Sequence, residues 1–535
     1  MKVIASYDAF FKQTLGGETF MAVNTDNIKS PALFSAIAIG VGCIIGSGWL
    51  FASYNAAKAV GSMAFLSWII GAILALILAL LLAETATMFK ERAFFARILT
   101  LSHKNTDYGF VVAISNLMGL ILVIPSEASA TIQYLSGIYP SLMVGKNLSL
   151  TGELYVVLLI VVYGLINFWG LQILSKVNNM ITLFKLIVPL ATGIIIIAYA
   201  GWHGEFHAAN FSLSGFHQSM GGMIDGAIAT VVTGGIFYSF YGFGLIAVFG
   251  AELKNPKRNI PLALVGCVLI CLVVYLILQF AFIGAMPTKY LEHGWQNLPV
   301  FSSPLAQLLG LIGVNVAMIW VLYADSAISP SGTGALYMGS SSRMITGMSQ
   351  DGQLPSFFDR IIAKYNLSRR SLITVFIIGV IMVFFSKNWQ NIMIMVTVFQ
   401  LISCIAIPVA LARLRKSEPQ AERAFKVPFG LSLSYVIFLV VSYLMIQASM
   451  KAVLLALIAH IILFVVYSLS YHKNNISRVW KSLCSSWSIF FYLVISLPFS
   501  HLVDIKSFGH SYALVAFIIA YTLTYIAMVN QRNYQ

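Results

Sequence analysis

Apolar windows long enough to cross a bilayer recur along almost the whole sequence, and nothing else constrains its fold as strongly. They fall near 33–57, 61–89, 109–138, 153–174, 179–200, 226–251, 260–283, 304–328, 371–386, 391–412, 431–449, 452–470, 486–503 and 510–529. A spanning helix needs about 20 mostly apolar residues. In hydrocarbon only structures that pair every backbone N–H and C=O internally are viable, and a run of such windows means helices. The expected class is an all-α integral membrane protein with about 14 transmembrane helices. Only 9% of the 535 residues are charged, which excludes a soluble domain on a single anchor. Met450-Lys451 alone separates two windows and reads as a tight hairpin, while 486–503 carries Pro498 and is the weakest span. Residues 1–30 are polar and mixed in charge, and the first apolar run is too long for a signal peptide.

The net charge of +14 raises the question of nucleic acid. Placement answers it. With the N-terminus inside, segments such as Lys90–Lys104, Lys254–Arg258, Arg343–Arg370 and Arg413–Lys426 all fall on one side. The split is about 25 basic residues inside against about 6 outside, which the positive-inside rule explains. Both termini are then cytoplasmic, in a multi-pass protein of the cell inner membrane. The five cysteines lie in or beside apolar runs without disulfide or metal spacing.

Two spans are interrupted by glycine. The first reads IGVGCIIGSGWLFASY over Ile39–Tyr54, with Gly46-Ser47-Gly48 at its centre. The sixth carries Gly242-Phe243-Gly244. Glycine weakens a helix interior by roughly 1 kcal/mol relative to alanine. Broken backbone at membrane depth is tolerated where it lines a cavity, and half-helix ends there offer N–H groups to anions and carbonyls to cations. Five spans separate the breaks, so the two halves have opposite orientation. That pattern marks an inverted repeat with a site between its halves. The expected organisation is a cytoplasmic segment 1–30, a first five-helix repeat over 31–200, a second over 224–412, and additional C-terminal helices over 429–530.

These residues carry a resemblance. GCIIGSGWLF in span one, LFKLIVP in span five, GAELKNPKRNIPLA closing span six, SPSGTGALY and SRMITGMSQDGQLP after span eight, and LARLRK with ERAFKVP after span ten follow in order. Together they resemble the amino acid–polyamine–organocation superfamily of permeases. GSGWLF and DSAISPSGTG are nearest the branch of bacterial aspartate/proton symporters. The resemblance implies a LeuT-type 5+5 core and secondary transport of amino acids. Two places depart from the pattern: FKERAFFARILT over Phe89–Thr100 lacks the Pro-Gly-Gly segment, and Gly244 stands where several members have a proton-handling glutamate.

An α-amino acid carries a carboxylate and an ammonium a few ångströms apart. The N–H groups of Gly46, Ser47 and Gly48 can meet the carboxylate, and the Ser47 hydroxyl adds a donor. Carbonyls at Cys43 and Ile44, and around Phe240, Tyr241 and Gly242, can accept from the ammonium. The resemblance places Ile44 and Ser47 in these roles and Tyr238 as an aromatic shielding bound substrate. Tyr238 alone also reads as a packing tyrosine. Lys185 is the basic residue deepest in a span, and a buried ammonium must find a partner or lose its proton. The resemblance matches it to a lysine standing in for sodium between spans one and eight, with Ser326 or Ser329 and carbonyls near Gly42–Cys43 as partners. Snorkelling is the alternative. Asp325 and Glu127, which follows Pro125, are acidic residues within spans; each is either on a proton path or half of a structural buried pair. Glu84, near the inner end of span two, reads as structural.

The expected function is uptake of an amino acid with a proton. An exchanger or a transport-dead receptor on the same fold would keep the same site. Partners are the amino acid, the proton and the bilayer, with no nucleic acid, cofactor or metal. HExxH, GxSxG and metal-spaced His/Cys clusters are absent, so an enzyme is not expected.

Overall fold

A computed structural model describes residues 33–89, 94–168, 171–212, 220–242, 255–362, 367–423, 425–472, 475–508 and 511–531. The helices, in order, are α1 (Leu33–Ile44), α2 (Gly48–Val60), α3 (Ala64–Ala86), α4 (Phe94–His103), α5 (Thr106–Leu135), α6 (Leu150–Phe168), α7 (Leu171–Trp202), α8 (Met220–Thr233) and α9 (Ile236–Phe240). There follow α10 (Pro256–Gly284), α11 (Pro304–Leu311), α12 (Val316–Gln350), α13 (Arg369–Phe385), α14 (Trp389–Ser417), α15 (Gly430–Ile446), α16 (Met450–Tyr471), α17 (Ile476–Asp504) and α18 (Ser511–Val529). A two-residue hairpin, β1 (Met143–Val144) with β2 (Asn147–Leu148), precedes α6.

Among the described residues, nine stretches are long and apolar enough to span a membrane, and two shorter apolar helices accompany them. Their burial separates centre from rim. In α5 and α14, 83% and 89% of the apolar window is enclosed by protein, against 33% in α6 and α18. The site is therefore to be sought along α5. The short connection between α15 and α16 is found at 447–449 rather than at Met450-Lys451, which open α16. The weak window at 486–503 lies in one 29-residue helix through Pro498.

The eighth window is a correction. Residues 304–311 form the separate helix α11, and the long helix starts at Val316 and runs to Gln350. Its second half, GTGALYMGSSSRMITGMSQ, is small and polar and is mostly buried against other helices. A helix that packs on protein needs no apolar surface for lipid, so the hydropathy maximum falls toward its N-terminal end, about half a window early.

The C-terminal helices are tied to the core at their polar ends. Fully buried Glu84 at the end of α3 accepts from Arg415 Nε (3.0 Å) and Nη2 (2.7 Å), and from the backbone N–H of Val427 (2.7 Å). Arg423 Nε lies 3.4 Å from its second face. Glu84 thus clamps the link between α14 and α15 and is structural, as the sequence suggests. At the start of α5, Asp107 accepts from Tyr467 Oη (2.7 Å) on α16. His103 Nε2 faces the Met528 carbonyl of α18 at 3.1 Å.

Candidate functional site

The first span breaks where its glycines sit. α1 stops at Ile44, α2 starts at Gly48, and Ser47 caps α2. Glu127 reaches this break from α5, two residues beyond Pro125, whose missing N–H leaves a gap in the helix ladder. The Ser47 N–H donates to both Glu127 carboxylate oxygens, at 3.4 and 3.2 Å. Tyr238 Oη, from α9, donates to Glu127 Oε1 at 2.7 Å and lies 3.4 Å from Ser47 Oγ. Three segments far apart in sequence thus meet on one carboxylate.

The two glycines of the break do different work. A Cβ on Gly46 would lie 3.1 Å from Glu127 Oε1 and 3.9 Å from Thr333 Cγ2, so Gly46 leaves room for the carboxylate. A Cβ on Gly48 would collide with Ser239 of α9. Gly48 thus lets α2 pack closely against α9. Ile44 is buried beside the break.

Span six breaks twice. Gly235 takes a left-handed φ of 85° between α8 and α9, facing Trp389, and Gly242 takes φ 122° just after α9. The second break is the one expected; Phe243 and Gly244 lie outside the described residues, as does Lys254. The Phe240 ring packs on Trp68 and Tyr275, at 5.9 and 5.3 Å between centroids, away from Glu127. Only its backbone remains available for the expected role. Tyr241 follows at the end of α9, its N–H bonded to the Tyr238 carbonyl at 3.1 Å.

Lys185 is buried, and its Nζ donates to Thr333 Oγ1 at 2.6 Å. Snorkelling is excluded. The partner is Thr333 rather than Ser326 or Ser329. Ser326 Oγ turns back to the Tyr323 carbonyl (2.7 Å), and the Ser326 carbonyl accepts from Thr131 (3.2 Å). Ser329 Oγ is buried without a hydrogen bond, and so are both carboxylate oxygens of Asp325. Asp325, Ser329 and Thr333 stand at i, i+4 and i+8 on α12, on one face. That spacing was the available signal for Thr333. Asp325 does not close a hydrogen-bonded pair with Lys185.

One side of the site is capped. Tyr238 meets Trp389 edge-on (5.9 Å), Trp389 stacks on Phe51 (4.6 Å), Phe51 meets Tyr134 (5.7 Å), and Tyr134 meets Tyr323 (5.7 Å). The segment before α11 lies over this plug. Tyr54 Oη and Lys58 Nζ donate to the Pro299 and Leu298 carbonyls, the Ala306 N–H donates to Tyr134 Oη, and Ser303 Oγ bonds Tyr323 Oη. Tyr238 stands at one end of this chain of rings. The other four rings were not legible, because aromatics are 13% of the chain and show no pattern there.

Known proteins are similar to this chain. The family model described as amino acid permease matches residues 32–467. A glutamate/serine transporter, AimA, of Bacillus subtilis is 36% identical over 402 residues, covering 74% of this chain and 72% of its own. An aspartate-proton symporter from the same organism is 28% identical over 494 residues, covering 91% and 92%. Among solved structures, a manganese transporter mutant of Eremococcus coleocola superposes with a TM-score of 0.53 at 12% identity, covering 90% of this chain and 98% of that one. That likeness concerns the fold, which is of the LeuT type.

Proposed function

The chain belongs to the amino acid permease family, and we propose that it carries a small polar or acidic amino acid inward together with a proton. It is a multi-pass membrane transporter, not an enzyme. The observation that carries the reading is the carboxylate held at the broken first helix. The Ser47 amide, at a half-helix N-terminus in a buried setting, binds a carboxylate, and an amino acid must present one. Relatives named for glutamate, serine and aspartate support the substrate class, and the one named as a proton symporter supports the coupling.

In this reading the halves 31–200 and 224–412 rock about the site. The aromatic plug lies on the outer side and both termini lie in the cytoplasm of a cell inner membrane. Lys185 braces α12 against the broken helix, and protons pass by Glu127, Lys185 and Asp325, with Ser329 and Thr333 between. Ammonium binding falls to carbonyls near Ile44 and Phe240–Gly242.

The test is uptake of labelled L-serine, L-aspartate and L-glutamate into proteoliposomes in sodium-free buffer. Uptake is expected to rise with an inward proton gradient, and Lys185→Ala to lose that dependence at matched insertion. A strict sodium requirement, or uptake only against internal amino acid, would overturn the symport reading.

A further inference from the structure

We infer that Glu127 is a tethered carboxylate that occupies the substrate-carboxylate subsite and yields it on taking up a proton. The inference rests on the transport reading above and adds how proton and substrate meet. Both Glu127 oxygens face the Ser47 N–H, and Oε1 also receives the Tyr238 hydroxyl. This amide is the donor that the broken helix offers to a substrate carboxylate, so both carboxylates compete for it.

A tethered competitor is present at high effective concentration. While Glu127 is ionised, a second carboxylate at the same amide meets both a filled donor and a like charge about 3 Å away. Once Oε carries a proton, the charge-assisted part of its bond is lost, and such bonds are about twice as strong as neutral ones. The Ser47 N–H then goes to the substrate. The balance is simple: one proton adds to Glu127, one neutral carboxyl moves aside, and one substrate carboxylate takes its place. Gly46 supplies the room, since any side chain there would press on Oε1.

The ionisable groups around Glu127 fit this exchange. From α9, Tyr238 faces it directly. From α7, Lys185 acts on it electrostatically and touches Thr333 of α12 beside it. Asp325 of α12 also feels Lys185, and Tyr163 of α6 feels Glu127. On α14 the ionisable side chains are Cys404 and, at the far end, Arg413, Arg415 and Lys416. None of these offers Glu127 a bidentate partner that would hold it ionised.

The experiment measures equilibrium binding of L-serine and L-glutamate to the purified full-length protein from pH 5 to 9. Calorimetry in buffers of different ionisation enthalpy counts protons taken up per substrate bound. Wild type is expected to take up about one proton per substrate at alkaline pH, with affinity falling about tenfold per pH unit there. Glu127→Gln is expected to bind with pH-independent affinity and no proton uptake, at least tenfold tighter than wild type at pH 8.5. The wild-type proton count stands even where the variant does not fold. No proton uptake by wild type, an unchanged pH slope in Glu127→Gln, or loss of uptake only in Asp325→Asn would overturn the exchange. A wild type that binds no amino acid at any pH would instead remove the transport reading beneath it.

Discussion

Two buried glutamates, Glu84 on α3 and Glu127 on α5, receive opposite treatment. Glu84 ends α3 among Arg415, Arg423 and the Val427 amide, with bonds of 2.7 to 3.0 Å and a second guanidinium at 3.4 Å. Glu127, in the middle of α5, has one phenol at 2.7 Å and one amide shared at 3.2 and 3.4 Å. A carboxylate saturated by cations and short bonds is fixed in place. One held by neutral donors, a phenol at 2.7 Å and an amide shared at 3.2 and 3.4 Å, can change partners. The contrast separates a carboxylate that holds the fold together from one that can serve a transport cycle.

The largest expected effect breaks the first of these. Glu84→Ala leaves two buried guanidinium groups without their acceptor, and breaking a buried pair costs about 3–5 kcal/mol. The variant is expected to be recovered poorly from membranes and to unfold early, whereas Glu127→Gln is recovered normally. Size-exclusion chromatography and thermal unfolding of both proteins check this. Equal damage in the two would erase the distinction between them.

A second comparison lies within the first break. Gly48→Ala drives its methyl into Ser239, and overpacking of this kind costs about 1–3 kcal/mol. Gly46→Ala meets only the end of a flexible side chain, Glu127 Oε1 at 3.1 Å. It is expected to retain stability while displacing Glu127 from the Ser47 amide. Unfolding temperatures should therefore rank wild type, Gly46→Ala, Gly48→Ala. The reverse order would mean that Gly46, not Gly48, is the packing glycine.

The smallest effect concerns His103, which ties α4 to α18, and acid. Burial, with Arg413 nearby, holds His103 down at about 4, below its usual 6.5. The native state favours the neutral ring. Its contribution is therefore complete above pH 6.5 and is lost as pH falls toward 4. By linkage the loss reaches about 2 kcal/mol at pH 5. His103→Asn is expected to remove that part of the acid sensitivity, read as the change in unfolding temperature between pH 7.5 and 5.

Hydropathy made the helical membrane class, most span positions and both glycine breaks legible, because each is written in consecutive residues. It failed at α12. There the residues buried against protein look like loop, so the apolar window falls at 304–328 while the helix runs over Val316–Gln350. Lys185, Glu127 and Asp325 were also legible, since any ionisable group within a span stands out. Their partners were not.

From the sequence alone came the class of protein, the broken first helix and the small set of charged groups that must do something in hydrocarbon. Tertiary structure decided which of them meet. It brought Glu127 to Ser47 across 80 residues, Tyr238 to Glu127 across 111 and Lys185 to Thr333 across 148. It also left Asp325 without a hydrogen bond. The physical reason is range. Helix propensity and hydropathy act over one or two turns. A hydrogen bond between helices depends instead on rotation and register, which the packing of the whole bundle sets.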